Sequence, residues 1–217
     1  LFQNKELLKR EGFLFPGHVH AHNTIGVEMK NSGGYEKDFR LADFLACAPF
    51  TKKILDEINE SRESQVIISA EFFEHFPKNA IANLKEILDT CIRDGHTYCL
   101  IYYCRRQDTV LESLYREKVK INFLERTGPS PAFDAFKAGC PLRNYSAILN
   151  TWAGVFGKEK IIVQPYEKDQ LKNDIFSDFS AKIKLEITDE YIYPSDKDSN
   201  IGLSTDLTEF LRILTNT

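Results

Sequence analysis

Short apolar runs alternate with longer amphipathic segments along the whole of this chain. Residues 98–103 form an almost wholly apolar and aromatic run, long enough for one strand and too short for a buried helix. Residues 65–69 and 160–164 follow the same pattern, and residues 13–17 predict a further short strand that stops at a Pro-Gly turn. The three apolar runs predict buried strands, covered on both faces as in a parallel sheet.

The segments between these runs carry apolar residues at the spacing of an α-helix. In residues 78–94, for example, Ile81, Leu84 and Ile87 recur every three or four residues. The same spacing predicts helices at residues 4–12, 52–62, 144–157, 168–183 and 205–216, and from Asp108 to about residue 124. Because strands and helices alternate, the pattern predicts a parallel sheet with right-handed connections. Residues 127–141, with three prolines and two glycines, instead predict a mobile loop.

Length and composition are those of an ordinary globular domain. The chain has 217 residues, of which 42% are apolar and 28% charged, and these values predict a single domain over residues 1–217. A formal charge of −4 and dispersed basic residues disfavour a general nucleic-acid binder. No apolar run approaches the roughly 18 residues of a membrane span and no signal-peptide pattern occurs, so we expect no membrane span and a cytoplasmic location.

The five cysteines show no CxxC spacing. Neither a zinc site nor a full disulfide framework is therefore indicated, and we expect buried, reduced thiols.

Polar side chains stand where the predicted strands end. Glu71 and Arg105 each come just after an apolar run. In an open α/β sheet ligands bind at the carboxyl ends of the strands, and the helix after Arg105, with Asp108 as its N-cap, favours an anion at its N-terminus. Arg105 therefore predicts an anion site. Ser113, eight residues later, can grip the same phosphate.

Three of the five histidines, His18, His20 and His22, occupy alternate positions. In an extended segment they lie on one side of the chain. No Asp, Glu or Cys lies close by in sequence to complete a metal site, so we expect no bound metal. The alternative to a functional role is that these are polar loop residues.

The residues around Arg105 resemble a known family. Arg105, Asp108 and Ser113, with the strand before them, are similar to the signature with which P-loop sulfotransferases hold the 3'-phosphate of 3'-phosphoadenosine 5'-phosphosulfate (PAPS). Two further stretches resemble the middle and the end of bacterial and carbohydrate sulfotransferases in the same order: Tyr145, Leu149, Trp152 and residues 155–157 with 160–167, then residues 200–204 with Leu211 and Arg212. The resemblance covers the chain from about Asn4 onward.

The resemblance implies a nucleotide-kinase-like P-loop fold of three layers, α/β/α, with a mainly parallel sheet. It implies transfer of a sulfuryl group from PAPS to a hydroxyl or amine of a small-molecule or saccharide acceptor. Arg105 and Ser113 would hold the 3'-phosphate. His22, His20 or Glu71 would accept the proton, since a histidine after the Pro-Gly turn often lies near the acceptor in related enzymes and some of them use a glutamate as base. Capping of the next turn or pairing with an arginine is the structural alternative for Glu71.

A P-loop sulfotransferase opens with a strand and a Gly/Lys/Thr loop that binds the phosphosulfate. The sequence begins at Leu1 with what resembles the helix after that loop, so we expect the first strand and loop to lie upstream. The oligomeric state and the identity of the acceptor do not follow from the sequence.

Two other functions share this architecture. A small-molecule kinase would need a Walker lysine upstream and an aspartate for magnesium at a strand end, where this chain has Glu71, Arg105 and Glu167. A non-catalytic relative would keep the fold and bind a nucleotide without the loop.

Overall fold

The computed structural model describes residues 1–17, 21–93, 95–167, 169–193 and 202–216. The helices in these ranges are α1 (Lys5–Arg10), α2 (Asn23–Asn31), α3 (Leu41–Cys47), α4 (Pro49–Glu60), α5 (Lys78–Asp89), α6 (Gln107–Glu125), α7 (Phe133–Gly139), α8 (Tyr145–Phe156), α9 (Ile175–Lys182) and α10 (Thr205–Leu214). The strands are β1 (Phe13–Leu14), β2 (Gln65–Val66), β3 (Leu100–Cys104) and β4 (Ile161–Pro165). Short 3-10 helices occur at Phe2–Asn4, Glu71–His75 and Lys158–Lys160.

The chain divides into two compact units that interleave along the sequence. The first comprises Leu1–Tyr102, Ser146–Ile162 and Ser180–Ile192, and the second comprises Tyr103–Tyr145, Val163–Phe179 and Tyr193–Thr217. The chain passes from one unit to the other inside β3 and again inside β4. A single domain over residues 1–217 stays a prediction.

Within the described residues, the strands form two-stranded sheets. β1 and β2 are parallel, with Phe13 opposite Gln65 and Leu14 opposite Val66, and β3 pairs with β4. The mixed α/β class with a small parallel sheet is therefore confirmed. The three-layer P-loop arrangement stays a prediction.

The strands are less buried than their composition predicted. Gln65 and Val66 of β2 are exposed, and all five positions of β3 are only half-buried. Ile162 and Val163 of β4 are exposed as well. Side chains of a strand point to the two faces of its sheet, and in this structure those faces are covered only in part. The prediction of buried strands is therefore wrong for β2, β3 and β4.

Two helical boundaries also differ from the predicted ones. The segment predicted as a helix from residue 168 is helical only in α9, because Asn173 has a left-handed φ of 66° and Asp174 Oδ1 accepts the amides of Phe176 and Ser177, at 2.8 and 2.9 Å. The predicted loop at residues 127–141 contains α7. Local capping sets the start of α9. α7 was not predicted because its segment is rich in proline.

The cysteines are free thiols, as predicted, but none of the five is buried. Cys47 and Cys99 are exposed, and Cys91, Cys104 and Cys140 are half-buried. The expectation of buried thiols is therefore wrong.

The core of the first unit is apolar and mainly helical. It combines the inward faces of α2, α4 and α5 with Leu14 of β1 and with Trp152 and Phe156 of α8. Trp152 is 8% exposed and stacks on Phe156 with the ring centres 5.7 Å apart. Each fully buried large apolar side chain contributes about 1.5–3 kcal/mol. The apolar faces predicted for residues 52–62, 78–94 and 144–157 lie in this core.

Glu28 of α2 caps the N-terminus of α4. Its Oε1 accepts the amide of Phe50 at 2.9 Å, and its Oε2 accepts the amide of Thr51 at 2.8 Å and the hydroxyl of Thr51 at 2.7 Å. A carboxylate here satisfies amides that no helical carbonyl can reach and interacts favourably with the helix dipole. The start of α4, which buries Ile54, Leu55 and Ile58, thus depends on a residue of another helix.

In the second unit, α10 is joined to α6 by a polar network. Tyr115 Oη donates to Glu209 Oε1 at 2.7 Å, and Arg212 Nε donates to Glu209 Oε2 at 2.7 Å. Burial and the bond to Glu209 raise the pKa of Tyr115 to about 12. Ser204 is the N-cap of α10, and its hydroxyl accepts the amide of Leu207. Of the loop predicted at residues 200–204, residues 200 and 201 lie outside the described residues.

Among the described helices, none has the length and apolar character that crossing a membrane requires.

We expect Glu28→Ala to lower the free energy of unfolding by about 1–2 kcal/mol, because it leaves the amides of Phe50 and Thr51 without acceptors. Glu28→Gln keeps an amide oxygen and should lose less. Urea unfolding measures both, with Asp38→Ala, an exposed acidic residue, as the control for the change in charge. Equal stability of Glu28→Ala and Asp38→Ala would contradict the capping role.

Candidate functional site

His22 ties the segment that follows β1 to the segment that follows β2. Its backbone amide donates to Ser69 O at 2.6 Å, and its ring accepts the amide of Ser69 at Nδ1, at 3.1 Å. Nε2 lies 2.9 Å from Pro16 O. The neutral ring with its proton on Nε2 satisfies both contacts, because Nδ1 then accepts and Nε2 donates. Phe15 packs on the ring, 4.7 Å between centres.

This environment favours a structural role for His22. The residue has no exposed surface, and burial lowers its pKa. Each ring nitrogen faces a backbone group, so neither presents a lone pair to a substrate hydroxyl. Its role as proton acceptor stays a prediction, which this geometry does not favour. The other candidate histidine, His20, lies outside the described residues, as does His18.

Glu71 opens the 3-10 helix Glu71–His75 and is exposed. The next residue, Phe72, is held by α2: Asn23 Oδ1 accepts its amide at 3.1 Å, and its ring packs on Gly26, where an added Cβ would lie 2.5 Å from a ring carbon. The Glu71 carboxylate neither caps this helix nor pairs with an arginine within the described part of the chain. The two structural alternatives for this residue are therefore not observed there.

Glu74 is a carboxylate that the sequence analysis missed. It follows Glu71 by three residues, and in a 3-10 helix side chains at that spacing lie one above the other. Glu74 Oε1 accepts the hydroxyl of Tyr102, from β3, at 2.7 Å. The sequence does show the i, i+3 spacing of the two glutamates. That spacing indicates that they lie on the same side only once the segment is known to be a 3-10 helix.

Arg105 follows β3 in the second unit, as predicted. Its guanidinium carbon lies 5.3 Å from the centre of the Tyr166 ring. Its side chain is exposed and makes no hydrogen bond or ion pair with any other described residue. Its carbonyl accepts the hydroxyl of Tyr145 at 2.7 Å. Within the described residues, the strand end therefore carries a guanidinium without an ion-pair partner, on a backbone that is hydrogen-bonded to Tyr145.

The next arginine, in contrast, is paired with a carboxylate. Arg106 forms an ion pair with Asp108, in which Nε and Oδ1 are 3.2 Å apart. The hydrogen bond from Arg106 lowers the pKa of Asp108. Asp108 is not the N-cap of α6, which was the prediction, because the helix already begins at Gln107, with Arg106 at the N-cap.

Ser113 lies on the solvent side of α6. Leu111, Tyr115 and Val119 form the buried stripe of this helix, whereas Ser113 is exposed. At 1.5 Å per residue, Ser113 is about 9 Å further along the helix axis than Gln107. No hydrogen bond joins Ser113 to Arg105 in the described structure. A phosphate held by both side chains must therefore lie beside the first two turns of α6.

The chain before α8 is also held at the start of α6. Gln107 Nε2 donates to Arg143 O at 2.6 Å, and Arg143 N donates to Gln107 Oε1 at 3.0 Å. Together with the bond from Tyr145 to Arg105, these contacts place residues 143–145 next to the end of β3. The sequence analysis missed this arrangement, since a glutamine that pairs with a distant backbone has no local signature.

Other polar features of the described residues do not form a site. A cavity of about 390 Å³ in the first unit is lined by charged side chains, among them Lys9, Glu57 and Glu63. These three residues are in ion pairs, Glu57 with Lys5 at 3.0 Å and Lys9 with Glu63 at 3.9 Å. No group of three or more metal-ligating side chains is found in the part of the chain that the structure describes.

We expect His22 to make stability depend on pH. Its folded pKa is below the ordinary histidine value of about 6.5, so the unfolded chain takes up the proton more readily. The contribution of His22 is complete above about pH 6.5 and declines as the pH falls below that value. His22→Phe should unfold more easily, by on the order of 2 kcal/mol at pH 7.5, because Ser69 N and Pro16 O lose their partner.

Urea unfolding between pH 5 and 7.5 tests this expectation, with the exposed His75→Asn as the control. The slope of stability against pH should be smaller in His22→Phe than in the unsubstituted protein and unchanged in His75→Asn. An unchanged slope in His22→Phe would show that His22 is not buried in its neutral form.

Comparisons with protein-family models, curated proteins and solved structures give no match for this chain. The case for a function therefore rests on the resemblance of its residues and on the geometry described above.

Proposed function

We propose that this protein is a sulfotransferase that moves a sulfuryl group from PAPS to a hydroxyl or amine of an acceptor, on a three-layer α/β/α P-loop fold. The observation that carries the proposal is Arg105, an exposed guanidinium just after β3 with no ion-pair partner among the described residues. It matches the position at which the resemblance expects the ligand of the 3'-phosphate.

Binding of the 3'-phosphate follows from the state of this arginine. A guanidinium offers a planar fork of N–H donors that fits two phosphate oxygens. Because no carboxylate among the described residues pairs with Arg105, a phosphate would not have to displace one of them. The N-terminus of α6 adds favourable dipoles, and the hydroxyl of Ser113 supplies a further donor.

In the proposed reaction the acceptor oxygen or nitrogen attacks the sulfur of PAPS. The new bond to sulfur forms as the bond between sulfur and the bridging phosphate oxygen breaks, and adenosine 3',5'-bisphosphate leaves. Catalysis of this kind depends on in-line positioning and on charge stabilisation at the donor oxygens. The proton of the acceptor passes to a base on the protein.

Glu71 is the base that we favour among the three candidates. Its carboxylate is exposed, whereas both ring nitrogens of His22 face backbone groups. A carboxylate held by a short helix that is itself anchored to α2 can take the proton without a prior rearrangement. A small-molecule or saccharide acceptor, a cytoplasmic location and the absence of a nucleic-acid partner belong to the same proposal.

We expect Arg105→Ala to weaken binding of adenosine 3',5'-bisphosphate to the full-length protein by tenfold or more. The loss of a charge-assisted contact, on the order of 1.5–3 kcal/mol, is the reason. Calorimetric titration measures it, with Arg40→Ala, an exposed arginine of the first unit, as the control. Unchanged affinity in Arg105→Ala would reject the site. A preference of the unsubstituted protein for ATP would favour a kinase, and tight bisphosphate binding without any transfer to acceptors a non-catalytic relative.

We expect Glu71→Gln to lower turnover about a hundredfold or more while leaving the affinity for the bisphosphate unchanged, because the amide cannot accept the proton. Release of the bisphosphate from PAPS in the presence of hydroxyl and amine acceptors gives the rate. Glu6→Gln, an exposed glutamate of α1, is the control. Full turnover in Glu71→Gln would move the role of base to His20, His22 or Glu74.

A further inference from the structure

We infer that Tyr166 is a positioning residue for anion binding: its ring holds the Arg105 guanidinium in the place where it meets a phosphate. The inference rests on the proposed function and extends it, because it assigns to the end of β4 a part in donor binding that the signature around Arg105 does not contain.

The contact between the two side chains leaves the arginine free to bind. The guanidinium carbon is 5.3 Å from the ring centre, within the range of a cation–π interaction. A ring face attracts the cation but carries no negative charge and does not occupy the in-plane N–H donors in the way a carboxylate does. The neighbouring Arg106 instead pairs with the carboxylate of Asp108.

Both sides of the contact are fixed by their backbones. Tyr166 N donates to Cys104 O at 2.7 Å, so the residue that carries the ring is bonded to the residue that precedes Arg105. The ring of Tyr103 meets that of Tyr166 edge-on, with centres 6.5 Å apart at an angle of 89°. The bond from Tyr145 to the carbonyl of Arg105 holds the other side.

Pre-positioning raises affinity because a free arginine side chain loses rotamer freedom when it binds. An arginine that already rests on a ring loses less of it. Since Tyr166 is 38% exposed, the contact belongs to the weaker class of cation–π interactions. Its loss should weaken anion binding by about two- to fivefold.

The test is a double-mutant cycle on the full-length protein, with adenosine 3',5'-bisphosphate as the probe in calorimetric titrations. Tyr166→Phe keeps the ring and should bind within about twofold of the unsubstituted protein. Tyr166→Leu removes the ring and should bind about two- to fivefold more weakly. In the Arg105→Ala background, Tyr166→Leu should have no further effect.

Tyr193→Leu is the matched control, since Tyr193 is another partly exposed tyrosine of the second unit. Urea unfolding of each variant verifies that the fold is retained. Full additivity of Tyr166→Leu and Arg105→Ala would overturn the inference, because a purely structural role for the ring gives that result. Equal losses in Tyr166→Phe and Tyr166→Leu would overturn it too, because the hydroxyl would then be responsible.

The cycle also separates this inference from the proposed function. Weaker binding in Arg105→Ala with normal binding in Tyr166→Leu would overturn the inference alone. Normal binding in Arg105→Ala would reject the anion site itself and the proposed function with it.

Discussion

A buried imidazole joins the segments that follow the two strands β1 and β2 of the first unit. β1 and β2 share only two register pairs, and beyond them the chain is joined by the contacts of His22 with Ser69 and Pro16. A polar ring in an apolar setting is tolerated only when its hydrogen-bonding groups are paired, and here two backbone groups pair them. α2 begins at the next residue, Asn23, whose side chain in turn holds Phe72. The place of Glu71 thus follows from the same junction.

In the second unit, two neighbouring arginines have different partners. Arg105 and Arg106 have the same side chain, yet one rests on an aromatic ring and the other on a carboxylate. The ring leaves the positive charge available to an incoming anion, while the carboxylate neutralises it. This difference supports the proposed anion site at the end of β3, in a chain whose formal charge is −4.

The candidate residues are divided between the two units. Arg105 and Ser113 belong to the second unit and are exposed, as a phosphate ligand must be. His22 and Glu71 belong to the first, where one is enclosed and the other open to solvent. Chemical reasoning from residue types favours histidine as a base, because its pKa lies near neutral pH. Burial removes that advantage, since it commits both nitrogens and lowers the pKa.

The sequence by itself determined the elements whose signal is local. The apolar periods of residues 52–62, 78–94 and 144–157 correspond to α4, α5 and α8, and the run at 98–103 places Arg105 at the end of β3. Only the tertiary structure decided that His22 bonds to Ser69, that Glu28 caps α4 and that the guanidinium of Arg105 lies over the ring of Tyr166. Periodicity records which face of a segment is apolar, because that depends on near neighbours in the chain. Contacts between residues dozens of positions apart depend on how the segments meet, and no local pattern records that.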